Sequence, residues 1–94
     1  MTVDQLPTYA LDEEAVCSVL WFFGHPGGWA PDWFRLALLE AMSRADEQNM
    51  GRLACGFPAE AFWVSVLKDR DDGLMLAARA LDLLGVTRPG GLSG

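Results

Sequence analysis

Few residues in this chain could carry out catalysis, and their spacing does not bring them together. His25 is the only histidine, and Cys17 and Cys55 are the only cysteines. Nucleophilic catalysis needs a thiolate beside the imidazole and a third group that orients it. Cys17 instead lies in the middle of a predicted helix, where a free cysteine usually acts as a small hydrophobe. A metal site made of the three would lack a fourth ligand and the paired spacing of zinc motifs. We therefore predict no enzyme activity, no metal and no other cofactor, and we expect His25 to hydrogen-bond the turn around it.

A glycine-rich turn lies shortly before the second predicted helix. Gly24, Gly27 and Gly28 could present backbone N–H groups to a phosphate, as glycine loops at helix N-termini do. The turn has no Gly-Lys-Ser/Thr sequence and follows no predicted strand. Pro31 also removes one N–H donor, and the carboxylate of Asp32 would repel an anion. The pattern therefore indicates a structural turn and not a phosphate site.

Aromatic residues are concentrated on both sides of this turn. Three of the four tryptophans, the histidine and three of the five phenylalanines fall within residues 20–34. A domain of this size cannot bury all of them deeply, and tryptophan is enriched among the residues that contribute most to protein binding. We therefore predict a module that binds another protein, or a second copy of itself, and its candidate protein-binding residues are Trp29, Trp33, His25 and Trp21.

The alternative is that these rings pack the turn onto the fourth helix. Trp63 would then be the residue on which they pack. Between the two arrangements, we expect Trp33 to be packed and Trp29 to be exposed.

The composition is that of one globular domain, and its charge narrows the classes of partner. The 94 residues include 13 acidic and 7 basic side chains, which gives a net charge of −6. Because the two signs are interspersed and no basic stripe is present, we do not expect direct binding to nucleic acid or to an anionic membrane. An acidic surface could instead contact a basic protein or imitate the phosphates of DNA, although its simplest role is solubility.

No part of the sequence reads as a targeting or membrane segment. Acidic residues such as Asp4 and Asp12 precede the first apolar run, and no basic region comes before it, unlike a secretory signal peptide. The longest apolar stretch, residues 15–23, is too short to cross a bilayer. Two cysteines do not make a disulfide framework. We expect a cytoplasmic protein with free thiols.

Helical periodicity and capping residues predict an all-α fold. Asp12 and Asp46 are suitable N-caps, and Gly24 and Gly85 can take the left-handed conformation that ends a helix. The predicted helices cover about residues 12–23, 31–45, 47–55, 58–68 and 72–84. Five short helices predict a single domain over residues 1–94, folded as a compact orthogonal bundle. We expect residues 1–10 to form an extended or frayed arm, with Leu6 and Tyr9 able to fold back on the core, and residues 86–94 a flexible tail.

The second predicted helix has an unusually wide apolar surface. Phe34, Leu38, Ala41 and Met42 lie on one face, and Leu39 falls outside it. Apolar residues therefore occupy more than half of the circumference. Such a helix either lies at the centre of the bundle or is covered by another chain.

Two nucleic-acid-related functions form the alternative to a protein-binding module. Five short helices can contain a helix-turn-helix motif, whose recognition helix needs side chains that reach base edges. The third predicted helix offers Gln48, Asn49 and Arg52, with Asp46 and Glu47 beside them. An acidic mimic of DNA would instead need carboxylates clustered on one face with the spacing of phosphates.

Three stretches in the middle of the chain read Gly-His-Pro-Gly-Gly-Trp-Ala-Pro-Asp-Trp-Phe (24–34), Ala-Leu-Leu-Glu-Ala-Met-Ser-Arg-Ala-Asp (37–46) and Arg-Leu-Ala-Cys-Gly-Phe-Pro (52–58). They resemble a group of small actinobacterial and actinobacteriophage proteins. That group has no established activity, so the resemblance transfers no site residues. It implies a cytoplasmic accessory protein, encoded by a phage, that binds a host or phage protein.

Overall fold

The chain folds into a small all-α bundle. The computed structural model describes residues 6–85, and the predicted tail at 86–94 and the first five residues of the predicted arm lie outside this range. A 3-10 turn, η1, is followed by five helices: η1 (Thr8–Ala10), α1 (Glu13–Phe22), α2 (Trp33–Arg44), α3 (Glu47–Gly56), α4 (Pro58–Asp69) and α5 (Gly73–Leu84). Residues 6–85 contain no strand. The prediction of an all-α bundle with five helices is confirmed.

Aspartates begin three of the helices. Asp12, Asp32 and Asp46 are the N-caps of α1, α2 and α3, and each carboxylate accepts a hydrogen bond from the backbone N–H three residues later, at 2.8–3.0 Å. These bonds satisfy N–H groups that have no partner within the helix. The prediction that α2 begins at Pro31 is wrong, because Asp32 is the cap and Trp33 is the first helical residue.

Helix α4 lies at the centre of the bundle and packs against η1 and all four other helices. Trp63 and Val64 are completely buried on it. Because α4 takes the central position, a central position of α2 does not explain why its apolar surface is so wide.

The segment before α1 is packed against the core and is not an extended arm. Ala10 is completely buried, and its carbonyl oxygen accepts a hydrogen bond of 2.8 Å from Nε1 of Trp63. Tyr9 contacts the ring of Phe62 edge to face, with 6.2 Å between the ring centroids. The expectation of an extended arm is therefore wrong for Thr8–Ala10, which form a 3-10 turn and supply the acceptor that Trp63 needs inside the core. Leu6 and Tyr9 do fold back, since Leu6 packs against the core and Tyr9 against Phe62.

Helix α2 is rotated relative to the face that its apolar residues predict. Phe34 is 52% exposed, whereas Leu39 is completely buried. The inner face of α2 instead follows the helical spacing of Arg35, Leu38, Leu39 and Met42. The predicted buried face is therefore wrong at Phe34 and Leu39.

The rotation of α2 follows from an ion-pair cluster at Arg35. Its guanidinium lies 2.7 Å from a carboxylate oxygen of Glu14 on α1 and 3.2 Å from one of Glu60 on α4. Glu60 is buried, so its carboxylate needs a cationic partner. Burial alone would lower the pKa of Arg35, but the hydrogen bond to Glu14 and the charges of Glu60, Glu14 and Asp12 together raise it.

Helix α5 follows its predicted apolar face in part. Helical spacing predicts one buried face made of Leu74, Ala77, Ala78, Leu81 and Leu84. Ala77 and Leu81 are buried, whereas Leu74 is about half exposed and Leu76, which lies off that face, is completely buried. The inner face begins at Gly73, where a β-carbon would lie only 2.7 Å from the carbonyl oxygen of Val66. The close approach of α5 to α4 at this glycine sets the rotation of the helix.

Candidate protein-binding surface

The turn between α1 and α2 begins with two backbone hydrogen bonds that end α1. The N–H of Gly24 donates to the carbonyl of Trp21, and the N–H of His25 donates to that of Leu20, both at 2.9 Å. Gly24 has a φ of 77°, a left-handed conformation that side chains rarely adopt. The glycine expected to stop α1 therefore does so.

The turn then lies directly against α1. A β-carbon at Gly28 would be 2.4 Å from the carbonyl oxygen of Cys17 and 2.5 Å from the backbone nitrogen of Trp21. Only glycine permits this contact between backbones. It fixes the residue before Trp29 beside the backbone of Trp21, so these two tryptophans start from neighbouring positions on the surface.

Four large aromatic residues around the turn are exposed. Trp33 is 81% exposed, Trp29 43% and Trp21 42%, and Phe34 follows Trp33 on the first turn of α2. We call these four residues the aromatic surface. The exposure of Trp29 agrees with expectation, whereas the prediction that Trp33 packs onto Trp63 is wrong, because Arg35 and not Trp33 points toward α4.

Phe34 is attached to the rest of the bundle at one edge. Its ring lies 6.0 Å from that of Phe57, at the junction of α3 and α4. Sequence analysis missed Phe34 because it placed this residue on the buried face of α2. If the inner face of α2 is taken to begin at Arg35, Phe34 falls on the outer face of the helix.

His25 is half-buried. Its imidazole makes no hydrogen bond or ion pair with other residues in the described range 6–85. The expectation that the imidazole hydrogen-bonds the turn is therefore wrong, and only the backbone N–H of His25 donates a hydrogen bond, to the carbonyl of Leu20 on α1.

The two thiols have different environments. Cys17 is completely buried, and this burial, with a smaller contribution from the charge of Glu13, raises its pKa from 9.0 to about 11. Its thiol is therefore protonated at neutral pH and is a poor nucleophile. Cys55 is exposed, and its Sγ lies 3.4 Å from the carbonyl oxygen of Gly51.

Residues 6–85 contain no group of three or more His, Cys, Asp and Glu side chains arranged to hold a metal ion. The helices within the same range are also too short or too polar to span a membrane.

Among the grooves that border α3 in the described part of the chain, two stand on opposite sides of the helix, and sequence analysis identified neither. One, of about 620 Å³, lies between α3 and α4 and includes Tyr9, Met50 and Phe62. The other, of about 340 Å³, lies between α2 and α3 and includes Arg44 and Arg52. Both depend on how the helices pack, which residue spacing along one helix does not reveal.

Comparison with protein-family models, with curated proteins and with solved structures gives no match to this chain. The functional argument therefore rests on the residues and their geometry.

Proposed function

We propose that this protein is a small, non-enzymatic interaction module that binds a protein partner through the aromatic surface. In line with the resemblance to small actinobacteriophage proteins, we propose a phage-encoded accessory protein that acts on a host or phage protein in the cytoplasm. The observation that carries the proposal is Trp33, which is 81% exposed although it lies on a capped helix.

Exposed tryptophan on an ordered helix favours recognition over core packing. A buried aromatic side chain removes 150–250 Å² or so from water, and Trp33 leaves most of that area in solvent. Phe34 and Trp29 add to the same region. Apolar patches that folding leaves exposed commonly mark binding sites.

The position of α2 in the bundle supports the same conclusion. Its apolar residues cover more than half of its circumference, which requires either a central position or cover from another chain. Helix α4 occupies the centre. Cover by a partner therefore explains the outward apolar residues of α2.

Nearby charges favour a partner with basic residues. Glu13, Glu14 and Asp32 are exposed at the starts of α1 and α2, and Glu14 reaches across to Arg35 on α2. The net charge of the chain is −6. A partner that has an apolar cleft with lysine or arginine at its rim would complement both the exposed aromatic rings and the acidic residues beside them.

The distribution of acids argues against a mimic of DNA. Asp12, Asp32 and Asp46 are used as helix caps at three separate helix starts, and Asp72 forms an ion pair with Arg70. These roles explain the carboxylates without a phosphate-like row. A helix-turn-helix function would need α3 to bind DNA, which the experiment below detects.

Affinity capture with matched variants tests the proposal. The tagged protein, with Trp29→Ala/Trp33→Ala and Leu83→Ala as variants, is incubated with nuclease-treated lysate of its native host. Leu83 is an exposed apolar residue on α5 and serves as the control. We expect one stoichiometric protein partner, retained by Leu83→Ala and reduced about tenfold or more by the double variant, as for loss of a hot spot.

Circular dichroism establishes that each variant is folded before capture is compared. Capture that survives in a folded double variant would contradict the assignment of the surface. A parallel capture from untreated lysate completes the experiment, and binding that is present there but lost after nuclease treatment would favour a nucleic-acid-related function. If the tagged protein captures only a second copy of itself, that copy and not another protein is the partner.

A further inference from the structure

The groove between α2 and α3 combines apolar and cationic groups. Each helix contributes one face at helical spacing, and the lining residues are Ala41, Arg44, Ala45, Asn49, Arg52 and Leu53. Ala45 and Leu53 are partly buried, whereas Arg44, Asn49 and Arg52 are exposed. The apolar atoms therefore lie deeper than the charged groups, in a space of about 340 Å³.

The two arginines of this groove differ from other cations in the chain. Arg35 and Arg70 form ion pairs with carboxylates of the protein itself, and Lys68 donates to the carbonyl of Ser43 at 2.9 Å. Within residues 6–85, neither Arg44 nor Arg52 has a carboxylate oxygen within 4.0 Å. In a chain with net charge −6, two guanidinium groups at one groove are thus left for an external anion.

Asn49 positions one of these groups. Its Oδ1 accepts a hydrogen bond of 3.3 Å from a terminal nitrogen of Arg52 on the same face of α3. The contact orients the guanidinium with its other N–H groups available. A planar guanidinium matches a carboxylate through two parallel hydrogen bonds.

We infer that this groove binds a short segment of a protein partner in which a carboxylate side chain lies next to an aliphatic one. The carboxylate pairs with Arg44 and Arg52. The aliphatic side chain enters between Ala45 and Leu53. The groove is at the small end of the range for ligand sites, which suits one or two side chains.

A nucleic acid fits this groove less well. Phosphate backbones bind to rows of cations, each of which replaces condensed counterions. Here two arginines are accompanied by the exposed carboxylates of Glu40, Asp46 and Glu47. A single carboxylate between the arginines avoids those charges, whereas an extended polyanion meets them.

The groove is separate from the aromatic surface, so the inference goes beyond the proposed function. Arg44 follows Trp33 by eleven residues on α2, which is about 16 Å along the axis and within about 20° in rotation. Both residues therefore lie on the same outward face of the helix, at opposite ends. About five residues of an extended chain cover that distance.

Selection from a displayed library of random dodecapeptides tests the inference. The folded protein is the target, and the affinity of the most enriched peptide is measured by fluorescence anisotropy. We expect enriched sequences with Asp or Glu beside Leu, Ile or Val. Arg44→Gln/Arg52→Gln should weaken binding about tenfold or more, since hydrogen bonds to charged groups are lost.

Two controls separate this site from others. Arg79→Gln makes the same chemical change at an exposed position on α5, and Leu83→Ala removes an exposed apolar side chain from the same helix. Both variants should bind the peptide within about twofold of the affinity of the unsubstituted protein. The loss of a hydrogen bond to a charged group would cause a larger change. The single variants Arg44→Gln and Arg52→Gln are measured as well, with circular dichroism to establish folding.

Three results would overturn the inference. Enriched peptides could lack acidic residues, or their affinity could be unchanged in the folded arginine variants. Alternatively, no peptide is enriched while a labelled DNA duplex of about 20 base pairs binds with a dependence on salt, which would assign the arginines to phosphate contacts.

Discussion

At the scale of single residues, Cys17 behaves as part of the core. Its side chain is completely buried in α1. Burial first, and the charge of Glu13 second, raise its pKa to about 11. The folded state therefore holds the thiol proton more tightly than the unfolded state, and stability becomes dependent on pH.

The sign of this dependence follows from linkage. Below pH 9.0 the thiol is protonated in both states and its stabilising contribution is complete; it is lost as pH rises from 9.0 to about 11. The loss amounts to about 2–3 kcal/mol of unfolding free energy, at about 1.4 kcal/mol per pKa unit. Urea unfolding of the protein and of Cys17→Ala over this range measures it.

The loss should be absent from Cys17→Ala and present in Cys55→Ser, because Cys55 is exposed. Parallel decreases in the original protein and in Cys17→Ala would show that another group causes the effect.

Trp63 is the second residue with a distinct structural role. It fills the centre of the core, and its Nε1 donates a hydrogen bond of 2.8 Å to the carbonyl of Ala10. This bond, together with the contact between Tyr9 and Phe62, holds η1 against α4. We expect Trp63→Phe to lower the unfolding free energy by about 2–4 kcal/mol, through the lost bond and the cavity.

The matched control is Trp33→Phe at an exposed position, which should change stability by less than about 0.5 kcal/mol. Chemical denaturation measures both variants, and chymotrypsin cleavage near Tyr9 should accelerate only in Trp63→Phe. Equal stability losses in the two would contradict the assignment of Trp63 to the core and Trp33 to the surface.

At the scale of elements, the turn after α1 can pack against that helix only because Gly28 has no β-carbon. Gly28 lies so close to Cys17 and Trp21 that a methyl group would overlap their backbone atoms. We expect Gly28→Ala to displace the turn and to lower the unfolding free energy by about 2–4 kcal/mol. Thermal and urea unfolding measure the change.

Gly51→Ala is the control for the same substitution in open space. Gly51 lies within α3 and has no neighbouring atom within 4 Å of its added carbon. The substitution should stabilise the protein by about 0.5–1 kcal/mol, because alanine favours the helix. If both alanines had the same effect, the close packing at Gly28 would be in doubt.

Local signals predicted the elements better than the faces they bury. Helical periodicity, with aspartate caps, prolines at helix starts and glycine stops, placed all five helices within two residues of their observed bounds. The inner faces of α2 and α5 were predicted only in part. Leu38 and Leu81 are buried as their spacing predicts, whereas Arg35 and Gly73 were not expected to face the core. A buried ion pair and a close backbone contact depend on neighbouring helices, so residue class along one helix does not reveal them.

The candidate site, too, was predicted only in part from local signals in the sequence. The concentration of tryptophan identified the turn as the place to look. It did not show that Trp33 is the most exposed of these residues, since this follows from Arg35 pointing inward. Phe34 and the groove with Arg44 and Arg52 required the packed helices.

At the scale of the whole molecule, α4 forms the centre and α2 presents its outer face. The N-terminal end of that face carries Trp33, and its C-terminal end carries Arg44. Folding leaves both groups exposed. We propose that a protein partner covers the N-terminal end of this face.

The most direct test of this claim is ¹⁹F NMR of protein labelled with 5-fluorotryptophan, alone and with the captured partner. Each of the four tryptophans gives one resonance, assigned with single Trp→Phe variants. In the free protein, we expect the Trp33 resonance to respond most strongly to exchange of H₂O for D₂O and that of Trp63 to respond least. On binding, the responses of Trp29 and Trp33 should fall while that of Trp63 stays the same. A complex that forms while Trp29 and Trp33 keep their full solvent response would contradict the claim.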